Sequence, residues 1–138
     1  MLKIRYAVLS DAEDIAVINV TTWKIAYKGL IPDEFLANRN LNDKRIENIK
    51  KQIKNQYNIC LVAEQNNKIT GYCIGGLPRQ YNDVFQFELR AFYVLPEYQR
   101  TGIGKAIFDK FKEIVAGKPF YLYALSANHK AIDFYTKT

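Results

Sequence analysis

Histidine and cysteine, from which most metal centres and all disulfide frameworks are built, are nearly missing from this sequence: His129 stands alone, and Cys60 and Cys73 each lie inside an apolar run. Without ligand spacing between them, these residues make neither a metal site nor a disulfide framework, and two thiols suit a reducing cytoplasm. Long apolar runs are also missing. No stretch approaches the roughly twenty residues that cross a bilayer. The N-terminus, Met1-Leu2-Lys3-Ile4-Arg5-Tyr6, alternates like a strand instead of opening a secretory leader. The expected protein is soluble, unexported and without a membrane partner. Internal repeats, low-complexity tracts and linkers are absent, so the 138 residues, 49% of them apolar, read as a single domain over 1–138.

The balance of charge is the positive exception, at +6. Such an excess suits nucleic acid, an anionic surface or a small phosphorylated ligand. Many of the cations fall in Arg39, Lys44, Arg45, Lys50, Lys51 and Lys54, but Asp43 and Glu47 interrupt them and Ile46, Ile49 and Ile53 recur at helical spacing. That pattern is an amphipathic helix with a solvated basic face, so no nucleic-acid partner is expected.

Along the chain, Lys3 to Ala7 predicts a strand, and Ser10-Asp11-Ala12-Glu13 has the spacing of a capping box opening a helix to about Tyr27, with Gly29 as its stop. That helix places Ile15, Ile18, Thr22 and Ile25 or Ala26 on one side. Pro32 suits the start of a short helix through Ala37, and Asn42 can cap the basic helix. The period then changes to two. Ile59 to Glu64 and Ile69 to Leu77 predict a hairpin turned by Gln65-Asn66-Asn67-Lys68, and Phe85 to Leu95 reads as the central strand. Gly102 to Ala116 is helical with Gly117 as a stop, Pro119 to Leu125 is a buried strand, and Ala127 to Lys137 a last helix. The order β-α-α-β-β-β-α-β-α implies an α/β (α+β) fold, a mixed, mostly antiparallel sheet with helices on both faces.

The chemically informative stretch is Tyr93-Val94-Leu95-Pro96-Glu97-Tyr98-Gln99-Arg100-Thr101-Gly102-Ile103-Gly104-Lys105, where a buried strand passes into a helix. A helix N-terminus has unpaired amides and partial positive charge, and glycine removes the Cβ that would hold a phosphate away. Arg100 and Lys105 add positive charge. A glycine pair also serves simply to turn a chain, so both readings stand on these residues alone. No Walker loop is present, and a dinucleotide fingerprint would need glycine where Ile107 stands.

Gln99-Arg100-Thr101-Gly102-Ile103-Gly104 resembles the acyl-CoA motif of the GCN5-related N-acetyltransferase (GNAT) superfamily, [Q/R]-x-x-G-x-[G/A] after a strand ending in a V-x-P-like turn. Asn128-His129-Lys130-Ala131-Ile132-Asp133-Phe134-Tyr135 is similar to that family's second element, N-x-x-A-x-x-[F/L]-Y. The resemblance extends over essentially the whole chain. It implies acetyl-CoA as the acyl-donor cosubstrate, no metal, and an amine acceptor, a small molecule or a peptide. It further implies that main-chain groups of Phe92, Tyr93 and Val94 pair with the pantetheine arm beside a bulge. Amides of Arg100, Thr101, Gly102, Ile103, Gly104 and Lys105 would hold the pyrophosphate, with Gln99 also in the cofactor site; Asn128 would bond the pantetheine, and Tyr135 would lie near the sulfur and could protonate the leaving thiolate.

Glu88 matches the position of the catalytic glutamate in the histone-acetylating branch, and a carboxylate there could deprotonate the acceptor ammonium. The alternative is an ion pair with Arg90. Trp23, Tyr27 and Phe35 are acceptor-pocket candidates or core aromatics. Family members generally continue into one or two closing strands, whereas here the sequence stops after Phe134-Tyr135-Thr136-Lys137-Thr138. The expectation is a sheet lacking its last strands, with either a homodimer covering the open edge or a truncated reading frame. A non-catalytic acyl-CoA-binding module, or a truncated remnant, is the competing function.

Overall fold

A computed structural model of the protein describes residues 1–26, 28–29, 41–77, 87–116, 118 and 120–122. Strand β1 (Leu2–Tyr6) leads through a single 3-10 turn into helix α1 (Ala12–Ala26). Helix α2 (Asp43–Lys54) is followed by β2 (Asn58–Gln65), β3 (Lys68–Gly76), β4 (Phe87–Val94), helix α3 (Ile103–Ile114) and β5 (Phe120–Leu122). One sheet forms in the order β1-β2-β3-β4-β5; the first four strands are antiparallel and β5 joins β4 in parallel. Parallel neighbours need a crossover, which α3 supplies. The expected mixed, mostly antiparallel α/β architecture is present.

Alternating side chains split the core into two layers. Ile15, Ile18, Ile49, Val62, Tyr72 and Ile74 pack between the sheet and helices α1 and α2. Leu61, Cys73, Leu89, Ile107 and Phe111 pack between the sheet and α3. Cys60 belongs to the first layer and Cys73 to the second, and both are free thiols. Among the described strands the middle place belongs to β3 and not to the aromatic run of β4; residues Ile69 to Gly76 of β3 are all buried because helices cover both of its faces.

Local chemistry explains the ends of the elements. Asn66 and Asn67 have φ of 53° and 64°, the left-handed pair of a two-residue hairpin between β2 and β3. The Asn42 side chain accepts the Arg45 N–H at 2.8 Å and caps α2, whose Ile46, Ile49 and Ile53 face the core. Lys51 and Lys54 are exposed on the outer face, as expected of an amphipathic helix, whereas Arg45 turns to Asn19 of α1. The entry to α1 differs from the Ser10–Glu13 box. Asp11 ties it instead, accepting the Val8 N–H at 2.8 Å and two bonds from Arg5 at 2.8 and 3.1 Å. The carboxylate one residue beyond Ser10 reaches a guanidinium, and this bidentate, charge-assisted pair outcompetes a hydroxyl cap.

Ile15, Ile18 and Thr22 are buried as the helical period requires, but Ile25 is 58% exposed. α3 ends at Ile114, two residues early, and the chain already turns at Ala116, which takes a left-handed conformation one residue before the Gly117 expected as the stop. Among the described residues no helix is long and apolar enough to cross a membrane. The expected Pro32–Ala37 helix, the last helix and the question of closing strands lie outside the described residues.

Candidate functional site

The end of β4 and the start of α3 form one unit. After Val94, a 3-10 turn at Pro96–Tyr98 reverses the chain. The Gln99 side-chain amide donates to the Val94 carbonyl at 3.0 Å, bracing the loop against the strand it has just left. Arg100 follows with φ of 64° and Gly102 with φ of 90°. Gly102 is the N-cap of α3 and offers no side chain to the helix. The first intrahelical bond runs from the Ala106 N–H to the Gly102 carbonyl. The N–H groups of Gly102, Ile103, Gly104 and Lys105 therefore have no partner within the helix, where the dipole also concentrates positive charge. A Cβ added at Gly102 would meet nothing within 4 Å, so the space before these donors is open.

That arrangement suits a diphosphate, which needs several convergent donors and close approach of the backbone. Arg100 and Thr101 are exposed at the loop. The Lys105 ammonium does not gather at the loop with them. It turns along α3 to Asp109 at 2.8 Å, and this hydrogen bond holds the Asp109 carboxyl below its ordinary range.

Upstream, β4 carries a bulge. Ile74 pairs with Ala91 and Gly75 with Leu89, which leaves Arg90 without an opposite residue on β3. Glycine is required at this point: a Cβ on Gly75 would stand 2.6 Å from the Glu88 carbonyl oxygen and 2.7 Å from the Phe111 ring. On the other edge, the described part of β5 pairs only with Phe87, Glu88 and Leu89. Among the described residues, no strand lies beside Phe92 to Val94 there. Phe92 faces α3, its ring 5.8 Å from that of Phe108, while Tyr93 faces the opposite layer, 5.8 Å from Tyr72.

Glu88 is fully buried. Its carboxylate lies 3.7 Å from the Arg90 guanidinium, which also donates to Asn58 at 2.6 Å and to the carbonyls of Leu77 and Gly75. The ion pair weighed from sequence is thus present, and the buried charge is compensated. On the α1/α2 side a cavity of about 600 Å³ is lined by Trp23, Tyr72, Arg90 and Tyr93 among others. The Trp23 indole N–H donates to the Tyr93 hydroxyl at 3.0 Å.

Of the residues singled out from sequence, the structure joins Gln99 to Lys105 at the end of β4, and sets Trp23 and Tyr93 in one cavity. Tyr27, Phe35, Asn128 and Tyr135 lie outside the described residues. Sequence reasoning missed Asn19 and Tyr72 of the cavity and Asn58 behind Arg90. They come from separate elements with no spacing in common, so no local signal marked them.

The family model described as Acetyltransferase (GNAT) family matches residues 23–138. The uncharacterized N-acetyltransferase YuaI of Bacillus subtilis (strain 168) is 29% identical over 138 residues, covering 98% of this chain and 78% of that protein. Among solved structures, the PaiA N-acetyltransferase from Thermoplasma acidophilum in complex with coenzyme A aligns with a TM-score of 0.84 at 23% identity, over 99% of this chain and 87% of that one. The aminoglycoside acetyltransferase meta-AAC0020 from an uncultured soil metagenomic sample, in complex with sisomicin, aligns with a TM-score of 0.70 at 20% identity, over 99% of this chain and 86% of that one. These solved structures share the fold.

Proposed function

The chain belongs to the GNAT family of acetyltransferases, and from that premise we propose that it moves an acetyl group from acetyl-CoA to a primary amine of a small molecule or peptide by direct attack. The observation that carries this reading is the left-handed Gly102 at the N-terminus of α3, open in front and directly beyond a bulged strand. When bound, acetyl-CoA supplies an activated thioester with a good leaving group.

In this reading the amides of Gly102 to Lys105 hold the pyrophosphate, with Arg100 adding exposed positive charge and Thr101 bordering the loop. Gln99 acts by fixing the loop rather than by touching the ligand, since its amide is bonded to Val94. Main-chain groups of Phe92, Tyr93 and Val94 orient the pantetheine arm along the strand edge, and Asn128 bonds it. Glu88 accepts the acceptor's proton through water, and Arg90 compensates its buried charge. Tyr135 holds a proton at its hydroxyl for the departing thiolate. Two free buried thiols fit a reducing cytoplasm as the setting.

The complete burial of Glu88 and its pairing with Arg90 favour one second reading, an acyl-CoA-binding module without chemistry. Calorimetry with CoA and a thiol-release assay across a broad amine panel separate the two. Tight binding with turnover of at least one amine is the expected result. Binding without turnover leaves the module, and no binding at all removes both.

A further inference from the structure

The cavity beneath α2 adjoins a second one. The first, of about 600 Å³, and its neighbour, of about 360 Å³, share Gln52 and Arg90 in their walls, so these two residues form the neck of one cleft. The neck is held from behind: Asn58 donates to the Gln52 carbonyl at 3.0 Å and accepts from the Arg90 guanidinium at 2.6 Å. Along the helical wall the cleft is lined by Asn48, Gln52 and Asn55, which follow one another at a turn's spacing along α2 to its C-cap. Their carboxamides are largely uncommitted. The side chains of Asn48 and Gln52 have no hydrogen-bond partner among the described residues, and Asn55 has only its Oδ1 taken, by the Tyr57 N–H at 2.9 Å. Asn48 and Gln52 share their cavity with Ile74 and Ala91 of the sheet.

A carboxamide offers an acceptor and two donors in one plane. An extended peptide shows a matching N–H and C=O on the same edge at every second residue, about 6.7 Å apart, and residues four apart on a helix rise by about 6 Å. Asn48 and Gln52 are thus spaced to pair with consecutive main-chain groups of such a chain, whereas an aminosugar carries its hydroxyls around a ring and presents no such line. Resting on the acetyltransferase reading, we propose that the acceptor is the N-terminal segment of a peptide, extended along α2 with its main chain paired to Asn48 and Gln52 and its amine beside Ala91, next to the bulge. The residues that follow pass the neck toward Asn55. In the transfer, a bond from the amine nitrogen to the acetyl carbon replaces the carbon–sulfur bond of the thioester. Of the two protons the ammonium gives up, one ends on the CoA thiol and the other in water.

The test uses the full chain with acetyl-CoA and the amides of alanine, di-alanine, tri-alanine and tetra-alanine, with glucosamine for comparison. From alaninamide to the longest peptide kcat/KM should rise about tenfold, chiefly through KM, as one or two added hydrogen bonds would give. Asn48→Ala with Gln52→Leu removes no hydrogen bond among the described residues. It should flatten the series and weaken tetra-alaninamide about tenfold in calorimetry against the CoA-bound protein, with CoA affinity itself retained. Rates independent of peptide length, turnover confined to other amines or led by glucosamine, or a series and peptide affinity untouched in the double variant would overturn this assignment while leaving acetyl transfer intact. Turnover of none of these amines, nor of a broader panel, with CoA still bound in calorimetry would overturn both.

Discussion

At the scale of the residue, the glycines at the start of α3 allow binding to be tested apart from stability. Gly104 lies in the first turn, where a carboxylate is favourable to the helix itself but repels a diphosphate. Gly104→Glu should leave the melting temperature nearly unchanged and weaken CoA by at least about tenfold, or 1.4 kcal/mol, as read by calorimetry. Glu88 is tested differently, because removing half of a buried ion pair also destabilises. Glu88→Gln should lose about 3 kcal/mol in urea melts and, if the carboxylate takes a proton during the reaction, lower kcat about a hundredfold with CoA affinity retained. A stability loss without a change in kcat would leave Glu88 as a structural partner of Arg90. The ion pair of Glu88 with Arg90 was legible in the sequence, as was the turn at Gly102 into a helix, because each depends on neighbours a few positions away. The Gln99 brace was not, since nothing in the spacing tells whether an amide turns to a ligand or back to Val94.

At the scale of the element, the bulge in β4 and the glycine opposite it act together. The extra residue, Arg90, changes the register of the strand, and Gly75 lets the Phe111 ring approach the backbone at that point. Gly75→Ala forces a methyl group into contacts of 2.6 and 2.7 Å, one of them with main chain that cannot turn away. The expected loss is about 2 kcal/mol, visible as a lower urea midpoint, with CoA binding weakened by the displaced strand. Helices, hairpin and the β4-α3-β5 crossover were readable from period and turn residues. The place of β3 in the middle of the described strands was not, because burial on two faces follows from which helices pack where. Ala116 at the end of α3 shows the same limit: a glycine was available next to it, and the chain turned one residue sooner.

At the scale of the molecule, Arg5 joins β1, β2 and the entry to α1. Its guanidinium grips Asp11 in two places and reaches Glu64 at 2.9 Å. Burial alone would raise the Asp11 carboxyl, but the hydrogen bonds from Arg5 and the Val8 amide, with the charge of Arg5, bring it below its ordinary 3.8. The unfolded chain therefore takes up this proton at higher pH than the folded one. The clamp's contribution is complete above about pH 4 and is lost as pH falls through the lowered folded value. Arg5→Met should remove about 2 kcal/mol at neutral pH and flatten the acid limb of the stability curve measured by denaturant melts.

The two cysteines extend the view across the sheet. Burial pushes the Cys60 thiol up to about 11, partly countered by the charge of Arg90, and pushes Cys73 higher still. Neither presents much thiolate to an alkylating reagent near neutrality, so each must wait until its own side of the sheet parts. They form a pair of internal clocks, one for each layer. Mass spectrometry of a labelling time course should find Cys60, 6% exposed, modified before Cys73 at 1%; identical rates would mean that the two halves of the molecule come apart in a single event.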